Sequence, residues 1–258
     1  WIKIWPAGIL AVAIVVLRSR LSLLAAAVAA SFVVLAAGII AGGSLSLFSF
    51  ITEQTDRRLQ IEAVMATPWV WAAAIGMPGV AVGYSTEILT FQVDGPGVRF
   101  ALAAATPLLA LAAIAVLVLA VIAVRRGAAP ERILPPAALA ITVALIVANK
   151  VGSPQFSAWL AVPVILALVV LGRRGWDLWR TPIVLVTAIA ALTQAIYPFA
   201  YDALLAAHPL AVLLLTARNT LTVVLLLWAI VELVRLARAD RDRRSTPLQP
   251  TPSERIPS

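Results

Sequence analysis

The chain has no cysteine and a single histidine, His208. Disulfides and thiolate metal sites are thereby excluded and no histidine cluster exists for zinc or iron, so a metal would need carboxylates alone; no metal and no cofactor is expected. Charge is also scarce, at 12% of 258 residues, whereas hydrophobic residues make up 62%. A soluble domain of this length needs more polar surface than that composition supplies. The chain therefore reads as a polytopic membrane protein. Neither a Gly-rich phosphate loop nor a Ser/His/Asp arrangement is present, and His208, which precedes Pro209, reads as a surface histidine.

What charge there is follows a pattern. The net +8 comes from basic residues set in pairs and triplets between apolar runs, as membrane topology requires, and nucleic acid is not an expected partner. Arg outnumbers Lys eighteen to two and Ala and Val are abundant, which suggests a GC-rich bacterial genome and hence a bacterial plasma membrane. The chain starts at Trp1 without a signal peptide, and its first apolar run, Ile4 to Leu17, is short of the roughly 20 residues of a span. An N-terminal part is expected to be missing.

Six more apolar runs follow: Leu21 to Ala41, Phe100 to Val124, Ile133 to Ala148, Ala158 to Leu171, Pro182 to Ala200 and Leu210 to Val234. The expected fold class is all-α, a transmembrane helix bundle of about seven spans over residues 1–236. Arg18 and Arg20, then Arg125, Arg126 and Arg132, then Arg173, Arg174 and Arg180, then Arg235, Arg238, Arg241, Arg243 and Arg244 fall at every second junction. By the positive-inside rule those junctions, and a disordered tail over residues 237–258, are cytoplasmic. The run from Pro68 to Gly83 must not cross, because a crossing would put later arginines on the wrong side. It is expected to be re-entrant or interfacial, with Trp69 and Trp71 at headgroup level, followed by a short extended segment or hairpin over Glu87 to Gly97.

Six basic residues defy the inside bias: Lys3, Arg57, Arg58, Arg99, Lys150 and Arg218. On one outer face they would suit a phosphate or another anion, while singly each could be an interfacial or structural cation. Residues 53–62 hold five charges, and drawn as a helix from about Thr55 they place Leu59, Glu62, Ala63 and Ala66 on one face, toward the bundle. Periodicity leaves two readings open for Glu62, aimed inward beside Arg58 four residues earlier: a carboxylate that binds sugar hydroxyls or acts as a base, or a buried ion pair that only fixes the loop. Ser153 is placed as an N-cap and Pro154 as the first helical residue of a helix running to Leu171, with Lys150 beside that anion-attracting start and Gln155 on its first turn. The plainer reading is a tight turn between two spans.

Lys3-Ile4-Trp5-Pro6, Asp56-Arg57-Arg58-Leu59-Gln60-Ile61-Glu62-Ala63 and Lys150-Val151-Gly152-Ser153-Pro154-Gln155-Phe156-Ser157-Ala158-Trp159-Leu160 resemble, in the same order, segments of the polyprenol-phosphate-mannose-dependent mannosyltransferases, glycosyltransferase family 87 with the GT-C fold. The resemblance implies transfer of a sugar, typically mannose, from a polyprenol-phosphate carrier to a glycolipid or glycan acceptor on the outer side of the membrane. It implies further that Lys3, Arg57, Arg58 and Lys150 stabilise the leaving lipid phosphate, and that Gln60, Glu62, Ser153 and Gln155 orient sugar or phosphate. Two hydroxyls are absent: Ala63 stands where the family often has Ser, and Phe156 where it often has Tyr. The family's catalytic acid falls in an early outer loop, so this chain is expected to be the C-terminal part, with the catalytic residue upstream of Trp1. Two other classes stay open, a transporter or flippase of an anionic lipid and a non-catalytic membrane partner.

Overall fold

A computed structural model describes residues 5–43, 58–87 and 89–238. The readings made for Lys3, Arg57 and the tail beyond residue 238 lie outside the described residues. Helices dominate: α1 (Trp5–Val16), α2 (Arg20–Ile40), α3 (Thr67–Ala74), α4 (Val98–Arg125), α5 (Pro130–Val147), α6 (Phe156–Trp159), α7 (Ala161–Leu171), α8 (Arg173–Leu178), α9 (Arg180–Gln194), α10 (Tyr201–Leu205) and α11 (Pro209–Arg238). The apolar runs thus become helices in the predicted order. By length and composition five stretches can cross a membrane: Arg20–Ile40, Val98–Arg125, Pro130–Val147, Arg180–Leu205 and Pro209–Arg238. Two of the expected seven spans fall short. Trp5–Val16 has 12 residues, roughly 18 Å of helix against a hydrocarbon core of about 30 Å. Phe156–Leu171 is interrupted at Leu160.

The bundle is assembled around α5. Its Ala137, Ala138, Ala140 and Ala144 are buried, and side chains this small let neighbouring backbones approach closely. α1, α4, α7 and α11 all pack on it. Two apolar clusters show that the long helices alternate in direction. Val98 and Ala101 at the start of α4 share one cluster with Ala211, Val212 and Leu215 near the start of α11. Ala120 and Ala123 near the end of α4 join Ile133 at the start of α5, Trp179 just before α9, and Leu233 and Leu236 near the end of α11 in the other. The arginine-bearing junctions around residues 18–20, 125–132, 173–180 and 235–238 therefore gather at one end. α2 buries none of its residues, as expected of a helix that is apolar on every side and faces lipid.

At the opposite end the chain leaves helical geometry. Between Gln60 and Val98 it forms a short 3-10 turn, Val64–Ala66, then α3, then an antiparallel hairpin of β1 (Ala81–Ser85) and β2 (Thr90–Asp94), with Ala81 opposite Asp94 and Ser85 opposite Thr90. The extended segment expected over Glu87 to Gly97 is the second strand of this hairpin, and its partner strand uses the end of the apolar Pro68–Gly83 run. α3 has eight residues and does not cross. Two side chains tie this region down. The Trp71 indole N–H donates to Thr216 Oγ1 on α11 at 2.9 Å, and that of Trp69 donates to the Pro96 carbonyl at 2.8 Å.

Candidate binding site

The described part of the charged stretch, residues 58–62, is not helical where the periodicity predicted a helix. Leu59, Gln60 and Ile61 run alongside β2, with Val93 N–H donating to Leu59 O at 3.0 Å and Ile61 N–H to Phe91 O at 3.2 Å. The apolar–polar–apolar triplet has the period of a strand, so Leu59 and Ile61 both point into the core, 0% exposed. Tertiary pairing with the hairpin outweighed a weak helical pattern. Glu62 still ends up inward, 7% exposed, but because the chain turns there and not because of a helical face.

That turn is locked against the break between α5 and α6. Gln60 N–H donates to Lys150 O at 3.0 Å, and Gly152 N–H donates to Gln60 Oε1 at 3.1 Å. Gly152 lies so close to the Glu62 and Ala63 backbone that a Cβ there would overlap it. The helix start expected at Pro154 is displaced. Ser153, Pro154 and Gln155 carbonyls accept 3-10-type bonds from Phe156, Ser157 and Ala158, regular helix begins at Phe156, and Ser153 makes no side-chain cap. With Pro154 holding an extended residue before it and lacking an N–H, the chain tightens into turns before it can enter a helix. α6 is then a single turn, too short for the anion-binding helix start read from the sequence.

Glu62 anchors the site. Its Oε1 accepts hydrogen bonds from Tyr197 OH at 2.6 Å and Tyr201 OH at 2.8 Å, and the two rings lie 4.5 Å apart. Tyr197 belongs to the wide turn Ala195–Ala200 and Tyr201 opens α10. The ion pair, one of the two readings left open for Glu62, does not form among the described residues. Arg218, 7% exposed on α11, sends Nη2 to the backbone carbonyl of Glu62 and both Nε and Nη2 to Asn219 Oδ1, at 3.2 and 2.9 Å. Asn219 Nδ2 in turn donates to Thr67 Oγ1 at 2.9 Å. Four segments distant in sequence are joined through this network: the Glu62 turn, α3, the Tyr197–Tyr201 turn and α11.

Because both tyrosines serve one oxygen, their removal should be non-additive. Tyr197→Phe or Tyr201→Phe alone leaves the carboxylate one donor and is expected to lower stability by about 1.5 kcal/mol; the second replacement should cost more than the first. Thermal unfolding of the two single variants and the double variant in detergent checks this. Equal, additive losses would mean that the tyrosines do not share a partner.

Beside the network lies a cavity with about 380 Å³ of empty space, counted to its open side. Glu62, Arg218, Asn219, Thr222, Thr193, Ser153 and Ser157 bring polar atoms to its wall, and Ile146, Leu160 and Ile189 supply apolar surface. Of the residues predicted from sequence, the structure brings together Gln60, Glu62, Lys150 and Ser153, and from the set of stray cations it adds Arg218. Gln60 is 5% exposed and holds the Gly152 backbone, so its part is structural. Arg58, Arg99, Gln155 and His208 are exposed, and none of the four lines the cavity. Tyr197, Tyr201, Thr193, Asn219 and Thr222 were not singled out from the sequence as site residues. The polar run Arg218-Asn219 with Thr222 one turn on, inside an otherwise apolar helix, was the available signal. Among the described residues no group of three His, Asp or Glu comes together that could hold a metal ion. Comparison with protein-family models, curated proteins and solved structures gave no match.

Proposed function

We propose that the chain is the C-terminal part of an integral-membrane glycosyltransferase that moves a sugar, mannose by the sequence resemblance, from a polyprenol-phosphate carrier to a glycolipid or glycan acceptor. The observation that carries this reading is the pair Glu62 and Arg218, held apart on the wall of one cavity within an apolar bundle. Ionised groups at such a place are expensive unless a polar ligand uses them. The cavity lies at the end away from the arginine-bearing junctions, which by the positive-inside rule is the outer side, with the C-terminus cytoplasmic. The protein then acts where a lipid carrier in the outer leaflet of a bacterial plasma membrane reaches it.

One observation favours a lipid transporter instead. Arg218 lies nine residues into α11, roughly 14 Å along its axis, deeper than a rim residue. Past Thr222, however, the buried residues of α11 are Leu225, Ala229, Leu233, Leu236 and Ala237, which give no polar path onward.

Membranes containing the full-length protein, supplied with radiolabelled polyprenol-phosphate-mannose and host lipids, should transfer label to a glycolipid. Arg218→Lys, which keeps the charge but loses the forked donor, should reduce transfer by about 100-fold. Absence of transfer, together with movement of the labelled carrier across a proteoliposome bilayer, would replace the transferase by a transporter; absence of both would leave a non-catalytic partner.

A further inference from the structure

The hydrogen-bonding groups on the cavity wall have a definite sense. Thr193 Oγ1 donates to Ile189 O at 2.7 Å, Thr222 Oγ1 to Arg218 O at 2.8 Å and Ser157 Oγ to Pro154 O at 2.8 Å. A hydroxyl has one proton, so each of the three presents only lone pairs to the cavity. Asn219 Oδ1 accepts from Arg218, and Nδ2 donates one of its two protons to Thr67. Two atoms of the charged residues have no hydrogen-bond partner among the described residues: Glu62 Oε2 and Arg218 Nη1. Among the described residues no fully buried side-chain nitrogen or oxygen lacks a partner. These two atoms are therefore reachable, although their residues are over nine-tenths buried, and the space both residues border is the cavity.

The side chains of the wall thus offer four acceptors, one of them charged, against the Arg218 Nη1 nitrogen, the second Asn219 Nδ2 proton and the Ser153 hydroxyl. A phosphate, which has almost no protons to give, meets mostly lone pairs and a carboxylate there. An ammonium ligand meets Arg218. A neutral polyol matches, since each hydroxyl both donates and accepts. We propose that this cavity seats the sugar ring and not the phosphate, with Glu62 Oε2 accepting from one ring hydroxyl, Arg218 Nη1 donating to a ring oxygen, and Thr193, Thr222 and Ser157 accepting from further hydroxyls. The assignment rests on the transferase reading for its substrate class. It moves the phosphate to another part of the molecule and leaves Glu62 a binding residue, fixed in orientation by Tyr197 and Tyr201.

The test uses full-length protein in nanodiscs and two soluble probes, methyl α-D-mannopyranoside and methyl phosphate, with dissociation constants read by saturation-transfer NMR. The mannoside should bind, and methyl phosphate should not displace it. Glu62→Gln should weaken the mannoside by about tenfold or more and Thr193→Val by about three- to tenfold, as for a charged and a neutral hydrogen bond. Thr193→Val keeps the side chain's shape, so it remains informative if Glu62→Gln does not fold. Mannoside binding unaffected by the variants that fold, or displacement of the mannoside by methyl phosphate at lower concentration, overturns the proposal. Mannoside binding without carrier turnover would remove the transferase and retain the site. Turnover with mannoside binding indifferent to Thr193→Val would do the reverse.

Discussion

Gly152→Ala is expected to destabilise the protein by about 3 kcal/mol or more, at the upper end of what overpacking costs. The added methyl would overlap the backbone of Glu62 and Ala63, and backbone cannot rotate aside as a side chain can. The same carbon at Gly8 meets side chains and no backbone, with Ile141 Cγ1 and Leu145 Cδ1 at 3.1 Å and Ile141 Cγ2 at 3.8 Å, and these can give by a few tenths of an ångström, so Gly8→Ala should change stability by about 1 kcal/mol or less. The contrast isolates the cause, since both positions are contacts between distant segments. Relief of the clash requires the Glu62 turn to lift off the α5–α6 break, which would also break the bond from Gly152 N–H to Gln60 Oε1 and the bond from Gln60 N–H to Lys150 O. Thermal unfolding in detergent measures the first effect. Amide exchange over residues 59–63 measures the second, with protection lost in Gly152→Ala and kept in Gly8→Ala. Equal midpoints for the two variants would show that the turn does not rest on Gly152.

The long helices were legible because lipid-facing segments must be continuously apolar, and continuous runs such as those of α4 and α11 have one plausible conformation in a membrane. That the arginine-bearing junctions share one end of the bundle was legible too, from their alternation along the chain. Residues 58–63 were misread because five charges near an apolar stripe fit a helix locally, while the pairing of Leu59 and Ile61 depends on Phe91 and Val93, about thirty residues away. No local pattern carries that pairing. Likewise the partner expected for Glu62 was a cation close in sequence, Arg58, whereas its carboxylate is held by Tyr197 and Tyr201 and its carbonyl by Arg218. Arg218 could be flagged from sequence as an arginine out of place. What it touches could not, because its neighbours come from α3 and from a turn far away along the chain.

Arg218→Met should be among the most damaging single substitutions, lowering stability by about 3–5 kcal/mol, as expected when one side of a buried polar arrangement is removed. Methionine fills much of the volume, so the loss would come from the groups left behind. The Glu62 carbonyl and Asn219 Oδ1 would each lose their guanidinium donor, and the Glu62 carboxylate would share its cavity with no cation. Lysine restores the charge but has a single terminal nitrogen, which cannot reproduce the fork that holds a carbonyl and an amide oxygen together, so Arg218→Lys should recover only part of the loss. A double-mutant cycle separates the terms. If Asn219 Oδ1 is held by Arg218, Asn219→Leu in the Arg218→Met background should cost less than in the wild type, by about 1–2 kcal/mol, because its oxygen has already lost its partner. Additive losses would place the two residues in separate environments, and the network that links the Glu62 turn to α3 and α11 would have to be redrawn.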